Sequence, residues 1–344
     1  MITFYPGPSK IYPQVAGYLQ DAVKEGILSQ NHRSPAFMKM LRECITLLKQ
    51  KLNIPEHYHV YFTSSATECW EIVAQSLTDK GSFHIYNGAF GQKWFEYAHK
   101  IAGDKVKGCK FDAEDIIPTI TDAPAECDII CITQNETSNA TQVEVGLIPT
   151  AEALIAFDVT SSLGGIALDW LKGDIWLASV QKCLGLPAGL GLMVCSPKAI
   201  KQAEAIGERR HYNSLLFIHE NFEKYQTHYT PNVLSIYLLK RVMEQVEHIE
   251  QINQKTIARA NDFYRFIEQQ TALNLLIKNA SVRSDTVMAI EGSAEDIKQL
   301  KAKATAVGIT LGNGYGQWKE TTFRIANFPA IEDWEFEQLK PCLT

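Results

Sequence analysis

Three stretches of the sequence hold residue types that could act together. In Trp176-Leu177-Ala178-Ser179-Val180-Gln181-Lys182-Cys183-Leu184-Gly185 an apolar run ends and a lysine follows. Gly185-Leu186-Pro187-Ala188-Gly189-Leu190-Gly191 then turns the chain into another apolar run. A lysine at the end of a buried strand either snorkels to the sheet edge or is paired or covalently used. A desolvated lysine with a lowered pKa can form a Schiff base with a carbonyl, which is the chemistry of pyridoxal phosphate. Asp158 ends a second apolar run, Leu154-Ile155-Ala156-Phe157. Buried unpaired, its carboxylate would be costly, and a protonated pyridine nitrogen is a fitting partner that keeps such a ring an electron sink. The plainer reading of Asp158 is a cap on the turn Val159-Thr160-Ser161-Ser162.

The third stretch is Tyr61-Phe62-Thr63-Ser64-Ser65-Ala66-Thr67-Glu68, a strand running into a helix. Ser65 and Glu68 have capping-box spacing, and Cys69, Ile72, Val73, Ser76 and Leu77 continue a helical face. Small residues at a helix start expose backbone N–H groups that can hold a phosphate. A well-capped helix is the plainer reading, and there is no GxxxxGK[ST] P-loop. His57-x-His59 could chelate a metal, but no third ligand lies nearby and no metal is expected.

The elements that must position these residues follow from periodicity. Apolar residues recur at helical spacing from about Gln14 to Leu28 and from Pro35 to Leu52. HVYFT (59–63), SFHIY (82–86), DIICIT (128–133), LIAFDV (154–159), DIWLAS (174–179) and GLGLMVC (189–195) are strand-length and lack a polar alternate face. They read as buried strands of a mainly parallel sheet in an open α/β structure. From Pro231 to about Gln270 the pattern is one long helix. Beyond it LNLLIK, TVMAIE, AEDIKQLKAKATAVG, TTFRIANF and EDWEFEQL read strand–strand–helix–strand–helix. A boundary inside the long helix gives a large domain over 16–242 and a small α+β domain over 243–344 joined by residues 1–15.

The 344 residues suit about two domains, and 46% hydrophobic against 21% charged residues exclude a disordered chain. Lys and Arg number 33 and Asp and Glu 39, for a formal charge of −6 without a basic run. A nucleic-acid partner is therefore not expected. The 8 cysteines form no CxxC pair and most lie in apolar runs, as reduced core residues do. The opening MITFYPGPSKIYP has no basic-then-apolar leader and no apolar run reaches membrane-spanning length. The expected place is the cytoplasm, away from membranes.

Together these segments resemble the class V aminotransferases of fold type I, and within them the phosphoserine aminotransferases. The resemblance runs along nearly the whole chain: Tyr5-Pro6-Gly7-Pro8, His32-Arg33-Ser34-Pro35-Ala36-Phe37, Gln134-Asn135-Glu136-Thr137, Asp158-Val159-Thr160-Ser161-Ser162, Gln181-Lys182, Pro187-Ala188-Gly189-Leu190-Gly191, Tyr229-Thr230-Pro231 and Phe323-Arg324-Ile325-Ala326. It implies a seven-stranded-type, mainly parallel sheet with helices on both faces, and pyridoxal 5'-phosphate as cofactor. Lys182 is then the Schiff-base lysine and Asp158 the partner of the pyridine nitrogen. Thr137 bonds the ring hydroxyl, and Ala66, Thr67 and Gln181 hold the cofactor phosphate.

Phe90 stands where the family usually stacks a tryptophan. Thr230 reaches the cofactor phosphate of a neighbouring subunit, making a homodimer with shared sites, although Tyr229 replaces the family's asparagine. Arg324 grips the substrate carboxylate, and His32 and Arg33 the substrate phosphate across the interface. An arginine that some members carry in the phosphate loop is absent here. Arg209 and Arg210 are either substitutes for it or a solvated pair.

The implied reaction is glutamate plus 3-phosphohydroxypyruvate to 2-oxoglutarate plus O-phospho-L-serine, in ping-pong fashion, serving serine or vitamin B6 synthesis. The alternatives are another class V enzyme, of the alanine–glyoxylate type or a related lyase, acting on an unphosphorylated amino acid, and a fold relative without turnover.

Overall fold

The computed structural model describes residues 2–118, 123 and 126–344. Its large sheet runs, from edge to edge, His59–Thr63, Gly191–Cys195, Ile175–Ser179, Leu154–Asp158, Ile129–Thr133, Ser82–Tyr86 and Val106–Lys110. Gly191–Cys195 is antiparallel to both neighbours, and the other pairings are parallel. The central strands are buried along their whole length, which is why they read as unbroken apolar runs. Val106–Lys110 was not read as a strand, because its Lys-Gly-Cys-Lys tail lies on an edge with exposed side chains.

Helices cover the sheet where capping chemistry starts them. Pro35–Leu52 begins with Ser34 accepting from Phe37 N at 3.2 Å and Pro35 in the first turn, and ends at Asn53 in the left-handed region. It buries Phe37, Met40, Leu41, Cys44, Leu48 and Leu52, so truncating Leu41 or Leu48 to alanine should cost about 2–5 kcal/mol. Ala66–Ser76 starts at Ser65, whose hydroxyl accepts from Glu68 N at 3.1 Å.

The long helix expected from Pro231 to about Gln270 is two helices, Val233–Gln245 and Ile249–Glu268. Val246 turns extended between them. No glycine or proline marks the break, and His248 makes no side-chain cap, so the local sequence carries no stop signal.

A second, antiparallel sheet has the order Asn274–Leu275, Val287–Glu291, Thr322–Ala326, Gly312–Asn313. It shares an apolar core with Phe4, Phe263, Phe328 and Phe336, separate from the core beneath the large sheet. The chain start lies beside it: Ile2–Thr3 pairs in parallel with Ile309–Thr310 as a separate two-stranded sheet, and Ala326 N donates to Phe4 O at 2.8 Å. From there the N-terminal segment crosses to the large sheet. Ser9 N donates to Gln181 O at 3.1 Å and Tyr12 N to Gly185 O at 3.0 Å. Among the described residues, no helix is long and apolar enough to cross a membrane.

Candidate active site

The parallel register fixes where chemistry can gather. Thr133 is paired with Asp158, and Asp158 with Leu177, so three neighbouring strands end together at their carboxyl edge. Thr137, Asp158 and Lys182 all follow from those ends, where open α/β sheets place their ligands. A cavity of about 330 Å³ opens there, lined by Tyr5, Gly7, Phe90, Thr137, Lys182 and Arg324, with Asn313, Tyr315 and Lys319 at the second sheet's side.

Lys182 Nζ donates to the Pro6 carbonyl. Burial, aided by the Arg324 charge, pulls its pKa down to about 8. That raises the share of free amine at neutral pH by roughly two orders of magnitude over an ordinary lysine. Asp158 is 4% exposed. One carboxylate oxygen accepts from Thr160 N and the other from Trp70 Nε1, both at 2.9 Å. Burial pushes its pKa up, while the Thr160 and Trp70 bonds and the Lys182 charge pull it back.

Arg324 is buried and anchored by backbone: Nη1 donates to Thr137 O at 2.5 Å and Nε to Asn313 O at 2.7 Å. Its Nη2 has no acceptor among the described residues. Glu136, the neighbour of Thr137, is buried and accepts from Phe90 N and Gly91 N at 3.0 Å, and from Ser138 N and Oγ at 2.9 and 2.7 Å. It thereby caps the Ala89–Ala102 helix, whose N-cap Gly88 has no side chain to do so. A β-carbon on Gly88 would overlap the Glu136 side chain, which explains the glycine.

Phe90 faces Tyr315 with ring centroids 5.5 Å apart, and Lys93 Nζ donates to Tyr315 OH at 2.8 Å. Tyr315, Lys93, Lys319 and Trp70 were not singled out from the sequence. No local signal marks them, because the contacts that give them meaning are spatial; the buried Trp70 indole finds its acceptor across the fold.

The remaining expected residues lie elsewhere on this chain. Ala66 N already donates to Ser179 Oγ at 2.8 Å, while Thr67 is exposed at the helix start. Gln181 is half-buried beside Lys182. His32, Arg33 and Thr230 do not line the cavity. Arg33 Nη1 donates to Gln226 Oε1 at 2.7 Å, so the His32-Arg33 turn and the loop leading to Thr230 share one surface. Arg209 pairs with Glu220 at 2.5 Å. His59 packs edge-on against His219 at 4.8 Å, and among the described residues no group of three His, Cys, Asp or Glu is placed to hold a metal.

Comparison with known proteins decides the family. The profile of aminotransferase class-V matches residues 3–316. The chain belongs to the class-V aminotransferase family. Its relatives in that family include the phosphoserine aminotransferase of Corynebacterium glutamicum, 27% identical over 97% of this chain and 91% of that protein. A crystal structure of a phosphoserine aminotransferase from Cytophaga hutchinsonii superposes with a TM-score of 0.94 at 32% identity, covering 99% of this chain and 98% of that one. An aspartate aminotransferase from Thermus thermophilus shares the fold, with a TM-score of 0.84 at 20% identity over 100% of this chain and 99% of that one.

This class-V chain is thus a phosphoserine-aminotransferase-like transaminase that depends on pyridoxal phosphate. The donor set suits that cofactor. A buried amine of lowered pKa and an aromatic face line the cavity, and the buried Asp158 carboxylate, which is not in that lining, ends the strand beside them and acts on the Lys182 charge.

Proposed function

We propose that the protein transfers the amino group of glutamate to 3-phosphohydroxypyruvate, yielding 2-oxoglutarate and O-phospho-L-serine, in the cytoplasm and in the service of serine synthesis. The observation that carries this reading is the convergence of Lys182, Thr137, Phe90 and Arg324 on one cavity, in a chain whose relatives along its full length include phosphoserine aminotransferases.

Bound pyridoxal phosphate supplies a carbonyl that carries the amino group and a pyridinium that accepts electron density. The chain's own residues do the rest. Lys182 would hold the cofactor, and its free Nζ would take the proton from the substrate Cα. Asp158 would keep the pyridine nitrogen protonated, Thr137 would bond the ring hydroxyl and Phe90 would stack on the ring. Thr67 and Gln181 would hold the cofactor phosphate, with Ala66 limited to packing because its N–H is committed to Ser179. Arg324 presents its free Nη2 edge to the substrate carboxylate, a pairing that suits a guanidinium better than an ammonium.

We assign His32, Arg33 and Thr230 to the site of a second copy, making the working unit a homodimer of two-domain subunits. Their shared surface outside this chain's own cavity supports that assignment.

The test is the His32→Ala, Arg33→Ala double variant. On this reading the KM for O-phosphoserine rises at least about a hundredfold with the thermal melt unchanged, since two charge-assisted contacts are lost. An unchanged KM for phosphoserine would remove the phosphate-binding role and favour an unphosphorylated substrate.

A further inference from the structure

The helix Ala66–Ser76 meets the functional site twice. Its first turn carries Thr67, and one turn further on stands Trp70, about 5 Å along the axis. The Trp70 indole is 5% exposed and stacks on Trp94 with centroids 6.1 Å apart and planes 12° from parallel. Tyr97 meets it edge-on at 6.0 Å. So clamped, the indole has one direction for its N–H, and it points it at Asp158 Oδ2 at 2.9 Å.

Asp158 belongs to the middle of the sheet, 88 positions away in sequence. Its other oxygen is held from its own turn by Thr160 N. The carboxylate is therefore fixed by two elements at once, and its orientation is tied to the Ala66–Ser76 helix whose first turn carries Thr67.

We propose that Trp70 is a positioning residue for the cofactor: its indole N–H orients the Asp158 carboxylate toward the pyridine nitrogen and locks the distance between that contact and the phosphate-binding helix start. This rests on the roles given to Asp158 and Thr67 above. The indole bond draws electron density from the carboxylate and keeps it ionised against burial, so the pyridine nitrogen keeps its proton. Hydrogen bonds to a charged group in a dry site are the strong kind, and removing one leaves the carboxylate under-solvated.

The test uses the cofactor-loaded protein. In Trp70→Phe, which keeps a ring and loses the donor, cofactor binding should weaken about tenfold or more, and the resonance of a 15N-labelled pyridine nitrogen should move toward its unprotonated position. In an Asp158→Asn background the same substitution should add little, because both act through one bond.

A second measurement leaves Trp70 in place. The indole 15N–1H resonance of Trp70, assigned in the wild type, should shift upfield on Asp158→Asn. An indole resonance indifferent to Asp158, or fully additive effects of the two substitutions on cofactor affinity, would overturn the role of Trp70. A wild-type pyridine nitrogen without its proton would instead overturn the role of Asp158 on which the inference stands.

Discussion

Gly7 lies against the amine of Lys182, so that a β-carbon built on Gly7 would overlap Nζ and crowd the end of the lysine chain. The N-terminal segment is thereby a wall of the site, held there by Ser9 on Gln181 and by Tyr12 on Gly185. Gly7→Ala should lower stability somewhat, because Gly7 holds φ at +156°, a backbone conformation that a side chain strains. Turnover should fall about a hundredfold, the usual cost of moving a reacting group by about 1 Å. Single-turnover kinetics with a parallel thermal melt checks it, and unchanged turnover would mean that Lys182 has room to spare.

Lys182→Ala should abolish turnover. Borohydride reduction of the cofactor-loaded wild type should fix the cofactor on one peptide, the one containing Lys182, as mass spectrometry would read. Label on another lysine would displace the assignment.

The lowered pKa of Lys182 has a pH consequence with a definite sign. The protonated amine is disfavoured by burial and by the Arg324 charge. The nucleophilic form therefore dominates above about 8 and is lost as pH falls through that value. Amine-reactive labelling of Lys182 in cofactor-free protein should titrate with that midpoint. Arg324→Gln removes a positive neighbour, so the midpoint should move up. An absent shift would show that burial without the Arg324 charge sets the lysine, and a downward one would contradict the repulsion between them.

Glu136 answers four donors around the start of the Ala89–Ala102 helix. Glu136→Ala leaves buried N–H groups unpaired and should destabilise the protein by about 3 kcal/mol or more. Glu136→Gln keeps one accepting oxygen and should cost less. Because Phe90 N is one of the donors, weaker cofactor binding should accompany the lost stability, seen by denaturant melts and by cofactor titration. A stability loss without any change in cofactor affinity would separate Phe90 from the ring.

Much of the fold was legible because fully buried strands announce themselves. Ile129–Thr133, Leu154–Asp158 and Ile175–Ser179 are apolar on both faces, and Pro35–Leu52 carries both a serine–proline start and a helical stripe. The pause between Val233–Gln245 and Ile249–Glu268 was hidden, because no glycine, proline or side-chain cap marks it.

The site was legible where strand ends carry charge, as at Asp158 and Lys182. It was hidden where a contact is purely spatial: Trp70 looks like one more apolar helix residue until the sheet brings Asp158 to its N–H. Tyr315 likewise gains meaning only when the second sheet sets it beside Phe90 and Lys93.

The most direct test of the central claim is to follow the visible absorbance of the cofactor-loaded protein while adding O-phospho-L-serine, then serine and alanine separately. The account predicts conversion of the lysine-linked cofactor to its aminated form by phosphoserine, with serine and alanine ineffective at the same concentration. Conversion by alanine or serine without any by phosphoserine would contradict it, leaving a class-V transaminase with a different substrate.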